Sequence, residues 1–98
     1  MNRKPTHPGE ILREDVIPAM GSNVSKFARG IKVTRQTLHG ILSEQKSVTP
    51  NIALRLGKYL GNSPDVWLRM QEAYDLYVES QNIAAVLEEI EFHEKSAA

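Results

Sequence analysis

Apolar residues recur along this chain three and four apart, and no stretch alternates with period two. The pattern therefore predicts helices throughout and no strand. Pro8 suits the first turn of a helix, with Thr6 or His7 before it as the cap. Ile11, Leu12 and Val16 then form an apolar stripe, Pro18 is expected to stop the helix, and Gly21 supplies the turn. Asn23 is a good N-cap for a second helix whose inward positions are Val24, Phe27, Ala28 and Ile31. Lys32 and Val33 follow, then Thr34 as a further capping residue. A third helix runs from about Arg35 to Ser43 and turns Leu38, Ile41 and Leu42 inward. Thr49-Pro50 opens a fourth helix through Ile52, Ala53, Leu56 and Leu60, which Gly61 ends. Ser63-Pro64-Asp65 repeats the start signal for a fifth, with Val66, Trp67, Met70 and Tyr74 inward. The chain stays helix-compatible to about Lys95, and Ile83, Val86, Leu87 and Ile90 make one more stripe there.

Only about three residues separate the second and third helices, the connection length of a helix-turn-helix. On a wheel of about 100° per residue, Leu38, Ile41 and Leu42 cluster on one arc of the third helix, with Thr37 at its edge. The opposite arc holds Gln36, His39, Gly40 and Ser43, with Arg35 beside it at the N-terminal end. That face offers donors and acceptors and no carboxylate. Arginine pairs bidentately with guanine and glutamine with adenine, and recognition helices read bases chiefly from their first residues. Arg35, Gln36, His39 and Ser43 are the expected base-reading set. Lys26, Arg29, Lys32 and Lys46 are expected on phosphates, and Thr34 and Thr37 on phosphate or a thymine methyl. An ordinary solvated helix face has the same composition, but its place after a short turn favours the groove reading. Gly40 is unusual inside a helix and is expected to let the helix approach a duplex closely, or simply to reflect tolerance of a small residue.

Charge sharpens this picture. The net charge is zero, yet residues 23–70 carry eight lysines and arginines against two carboxylates, and residues 71–98 carry one lysine against seven. A basic centre is the footprint of a polyanion partner, and an acidic tail suits a basic protein partner or only solubility. The 98 residues fit one domain, 1–75, with an acidic helical extension, 76–98. No cysteine is present, which excludes disulfides, thiolate metal sites and a cysteine nucleophile, and no cofactor is implied. No signal peptide or membrane-length apolar run is visible, so a cytoplasmic protein is expected. His7, His39 and His93 lie far apart without metal spacing, no glycine-rich phosphate loop occurs, and no enzyme is expected. Trp67, Tyr59 and Phe27 lie on or beside apolar stripes and are read as core.

The run Ser25–Leu42, SKFARGIKVTRQTLHGIL, resembles the lambda-repressor-like helix-turn-helix. His7–Glu14, HPGEILRE, and Ser47–Leu56, SVTPNIALRL, are similar to flanking motifs of the HigA antitoxin family, and Ser63–Gln71, SPDVWLRMQ, continues the match. The resemblance covers about residues 7–75. It implies an all-α, five-helix lambda-repressor-like DNA-binding domain, here with a C-terminal helical extension. It also implies a homodimer that binds double-stranded operator DNA in its own promoter, represses it, and neutralises a HigB-type mRNA endoribonuclease. A module whose acidic tail binds a basic toxin, with the DNA domain secondary or lost, is compatible with that reading, and a free-standing phage-type regulator without a toxin is the alternative. Two recognition helices would then lie about 34–36 Å apart. The fifth helix, with Trp67, Leu68, Met70 and Gln71, is the expected dimer contact, with the stripe from Ile83 to Ile90 as the alternative. The chain departs from the family at the turn, where a glycine is usual and Lys32 stands.

Overall fold

The computed structural model describes residues 3–94, and every regular element among them is helical. The first rod, α1, is composite: an α-helical turn Pro8–Ile11, a π-helical stretch Leu12–Val16 and a closing α-helical turn Ile17–Ala19. His7 caps it, its Nδ1 accepting from the Gly9 N–H at 2.8 Å. Pro18 does not stop this helix, contrary to expectation. The wider π register carries the chain past it, with the Ile17 N–H donating to the Leu12 carbonyl. A proline in an α-helical interior would clash with the carbonyl four residues back, and an irregular turn just before it relieves that clash.

The next two helices follow their caps. α2 spans Val24–Ile31, and the Asn23 side chain accepts from the Lys26 N–H. α3 spans Arg35–Leu42, and Thr34 accepts from the Thr37 N–H. The connection is Lys32, Val33 and Thr34, as the spacing predicts. α4 spans Pro50–Leu60 behind Thr49 and ends at Gly61 with φ 76°. α5 spans Pro64–Asn82 behind Ser63, so it runs unbroken across position 75. α6 is short, Ala84–Glu89. Helix was expected to about Lys95. It stops at Glu89, residues 90–94 have no regular structure, and Lys95 lies outside the described residues.

One core holds α1 to α5 together. Leu12, Phe27, Leu38, Leu56 and Ala53 are wholly buried, and Ile31, Ile41, Val48 and Trp67 nearly so. α1 crosses α3 closely enough that a Cβ on Gly9 would run into the Ile41 carbonyl oxygen, so only glycine fits there. Phe27 meets the Tyr59 ring edge-on at 5.3 Å, and Tyr59 itself is 36% exposed at the rim of the core. Val66, expected inward, is 46% exposed. α5 buries the line through Trp67 and Gln71, four apart, and Val66 lies about 100° off it. Gln71 is 4% exposed, its Oε1 accepting from the Val48 N–H at 2.7 Å and its Nε2 donating to Asp75 at 2.9 Å. A backbone N–H in the α3–α4 connection is thereby satisfied away from water.

Candidate nucleic-acid interface

The surface built around α3 follows from its two flanks. Leu38, Ile41 and Leu42 are 0–5% exposed, and this seats the helix on the core. Arg35, Gln36, His39 and Ser43 are all exposed on the other side, and Thr37 is half-buried between the two. Thr34 and Thr37 share a hydrogen bond between hydroxyls at 2.9 Å, which locks the cap and leaves the N-terminal turn open. Arg35 leans back across the turn, its Nη1 donating to the Ser25 hydroxyl at 3.0 Å. That bond holds the long side chain at the junction of α2 and α3. Ser25 is therefore a participant that sequence reading did not single out, because the pairing joins residues ten apart on different helices.

Lys26, Arg29, Lys32 and Lys46 are exposed as well. Among the described residues the ion pairs are those of Arg13, with Glu14 at 2.8 Å and Glu44 at 3.3 Å. Among those residues, then, the cations around α3 have no carboxylate partner, and the basic centre is uncompensated in the fold. Hydrogen bonding to Glu14 is the main reason Arg13 is held even further above its ordinary range, so it is a fixed cation. A shallow groove of about 250 Å³ lies between Arg13, Val24, His39, Leu42 and Ser43, beside the start of α2. Lys46 comes in from the connection after α3, and its stem covers Gly40, where an added Cβ would lie 2.7 Å from the Lys46 Cδ. Glycine at 40 thus makes room for a lysine stem within the chain itself.

The turn before α3 keeps the left-handed geometry that glycine usually serves. Lys32 has φ 63° and ψ 42°. For a residue with a Cβ that conformation costs about 1–2 kcal/mol. Beyond α3, Glu44 has φ 67°. An arginine from another helix serves each of these turns. Arg55 of α4 donates from Nη1 to the Ile31 carbonyl at 3.0 Å and the Lys32 carbonyl at 2.9 Å, and from Nε to Asn51 at 2.7 Å. Arg13 of α1 donates from Nη1 to the Leu42 carbonyl at 2.6 Å. Pattern reading assigned these two arginines no role. Their tell-tale is an arginine next to an inward-facing stripe, from which a long side chain can reach the carbonyls of a neighbouring element.

The four residues expected at a dimer contact divide in two. Trp67 and Gln71 are already buried within one chain, the indole Nε1 donating to Asn62 at 3.2 Å. Leu68 and Met70 are half-buried and still offer surface. No group of histidines and carboxylates among the described residues could hold a metal, and no described helix is long and apolar enough to cross a membrane.

No protein-family model matches the chain, but individual proteins do. Virulence-associated protein I of Dichelobacter nodosus is 41% identical over 76 residues, which are 78% of this chain and 70% of that protein. Among solved structures, antitoxin GraA superposes with a TM-score of 0.86 at 35% identity, over 93% of this chain and 99% of its own. Pseudomonas aeruginosa antitoxin HigA, solved with the higBA promoter, superposes with a TM-score of 0.87 at 32% identity, over 92% of this chain and 99% of its own. The chain belongs to this family of helix-turn-helix regulators and HigA-type antitoxins. Helix-turn-helix regulators and antitoxins are named among these relatives, beside virulence-associated proteins, and none of the names is that of an enzyme.

Proposed function

We propose that this protein is the antitoxin of a toxin–antitoxin pair and a dimeric repressor that lays α3 in the major groove of its own operator. The observation that carries this reading is the division of α3, with its apolar flank on the core and Arg35, Gln36, His39 and Ser43 open. Those four would read bases. Lys26, Arg29, Lys32 and Lys46, with Thr34 and Thr37, would hold phosphates and set the register. The exposed, unpaired cations of this region support that division of labour, and the promoter-bound HigA relative supports the kind of target. Leu68 and Met70 on α5 would supply the two-fold contact, with the apolar stripe of the C-terminal segment as the alternative surface. The finer part of the proposal is a HigB-type toxin as protein partner and the cytoplasm as the place of action. A short, basic reading frame adjacent to this one supports a toxin partner, and its absence favours a regulator acting alone.

The test is a mobility shift with the DNA upstream of the gene, repeated at two salt concentrations. Wild-type protein should prefer that DNA over a scrambled duplex and lose affinity steeply as salt rises. Arg35→Ala should cost about 1–3 kcal/mol and relax the choice of base at one position. Equal weakening on every sequence would move Arg35 to the phosphate set. A flat salt response with no preference would defeat the reading.

A further inference from the structure

We infer that Arg55 is a positioning residue for operator binding: it holds the turn before α3 in the left-handed form that Lys32 resists. The inference rests on the DNA-binding reading above and adds the device that sets the pose of the reading helix. A helix ends with carbonyls that have no partner inside it. At the end of α2 the Lys32 N–H turns back to the Ala28 and Arg29 carbonyls, and the Val33 N–H bonds the Ala28 carbonyl at 3.0 Å. This closure uses a left-handed residue, normally glycine, because a Cβ crowds the following carbonyl. Lys32 brings that Cβ.

One arginine nitrogen answers the strain. Nη1 of Arg55 bridges the carbonyls of Ile31 and Lys32, the last of α2 and the left-handed residue itself. Nε is tied to Asn51, one turn earlier on α4, so the guanidinium plane is fixed from behind. The bridge therefore transmits the position of α4 to the start of α3. Arg55 is half-buried and Lys32 exposed, so the arginine acts from the protein side of the turn. The other end of α3 is held in a related way: Arg13 bonds the Leu42 carbonyl, two residues before left-handed Glu44, and pairs with the Glu44 carboxylate at 3.3 Å. A helix pinned so at both ends presents its open face at one angle, and an error of an ångström there costs base contacts before it costs phosphate contacts.

A double-mutant cycle on the full-length protein tests this, using Arg55→Ala, Lys32→Gly and the pair. The first reading, without DNA, is amide hydrogen exchange at position 32 and at Val33. Arg55→Ala should speed it, and adding Lys32→Gly should restore much of the protection. The second is affinity for upstream and scrambled duplexes, at a temperature where circular dichroism shows every variant folded. With Lys32 present, Arg55→Ala should weaken upstream binding by about tenfold and scrambled binding by under about twofold; in the Lys32→Gly background the upstream loss should shrink to about threefold or less. Arg55→Lys keeps a charge but not the fork, and should lie between. If Arg55→Ala does not fold, Arg55→Lys carries the same cycle. Equal losses in the wild-type and Lys32→Gly backgrounds overturn the inference, and so does a parallel loss on both duplexes, which would make Arg55 a phosphate contact. Unchanged binding by a folded variant overturns it too. Should wild-type protein show no preference for upstream DNA, the operator reading fails by itself, and the exchange cycle still judges the turn.

Discussion

Along α2, Phe27, Ala28 and Ile31 are 0, 1 and 2% exposed; along the C-terminal stripe, Ile83, Val86, Leu87 and Ile90 are 37, 53, 44 and 64% exposed. Both stripes have the spacing of a helix buried on one side. The first is covered because α3 and α4 both pack on α2. The second is not, because α6 follows α5 across one residue, Ile83, and packs chiefly against α5. Periodicity identifies which side of a helix is apolar. Whether that side is covered depends on what the rest of the chain can reach. An apolar stripe left open and flanked by Glu88, Glu89, Glu91 and Glu94 has the make-up of a surface awaiting another chain.

The largest difference between the two regions should appear on truncating one side chain in each. Phe27→Ala removes a ring that is fully buried and packed edge-on against Tyr59. It should cost about 3–5 kcal/mol in denaturant unfolding. Leu87→Ala in dilute protein should change the same quantity by under about 0.5 kcal/mol. A large loss from Leu87→Ala at low concentration would mean that the tail belongs to the monomer core, and the comparison would break.

A smaller effect sharpens the boundary of the core. His7 is 2% exposed, its ring edge-on to Tyr74 at 4.8 Å. Burial pushes its pKa below the ordinary 6.5, against the opposing pull of Glu44 and Asp75 and of a hydrogen bond to the Lys46 backbone. The neutral ring is also the acceptor that caps α1. The folded-state pKa is therefore the lower one. The stabilisation is complete above about pH 6.5 and is lost as the pH falls through the folded value. His7→Asn keeps a capping acceptor and removes the titration. Wild-type melting temperature should fall relative to His7→Asn between pH 7 and pH 5. Parallel curves would show that His7 does not hold the start of α1.

Much of the fold was legible because its signals are local. Asn23, Thr34, Thr49 and Ser63 cap the helices they were expected to cap, and the three-residue turn lies where spacing put it. The open face of α3 was legible for the same reason, since one helix period separates Leu38, Ile41 and Leu42 from Gln36 and His39. The features that escaped depend on distant partners. The π stretch in α1 is the exception, since it accommodates neighbouring Pro18, where a stop was expected. Val66 lies outward because Trp67 and Gln71 took the inner line, and Gln71 lies inward because Val48, 23 residues away, needs an acceptor. Arg55 and Arg13 act on carbonyls 24 and 29 residues distant. A side chain that serves another element's backbone has no sequence signature of its own beyond being polar in an apolar neighbourhood.

The smallest effect expected in dilute protein bears most directly on the open stripe. In dilute protein Leu87→Ala combined with Ile90→Ala should change melting little, since Leu87 is 44% and Ile90 64% exposed in the single chain. Assembly changes that reference. If a second copy covers the stripe, wild-type melting temperature should rise with protein concentration, because association stabilises only the folded chain. The doubly substituted protein should lose that rise, and its sedimentation should shift from dimer toward monomer at concentrations where wild type stays paired. Each leucine or isoleucine fully covered is worth about 1.5–3 kcal/mol, so the substitutions should weaken pairing by well over tenfold. Unaltered pairing would assign the two-fold contact to the half-buried Leu68 and Met70 instead. A wild-type chain that stays monomeric, with a melting temperature independent of concentration, would leave the stripe for a partner of different sequence, and the basic toxin of the proposed pair would then be the first to try against those four glutamates.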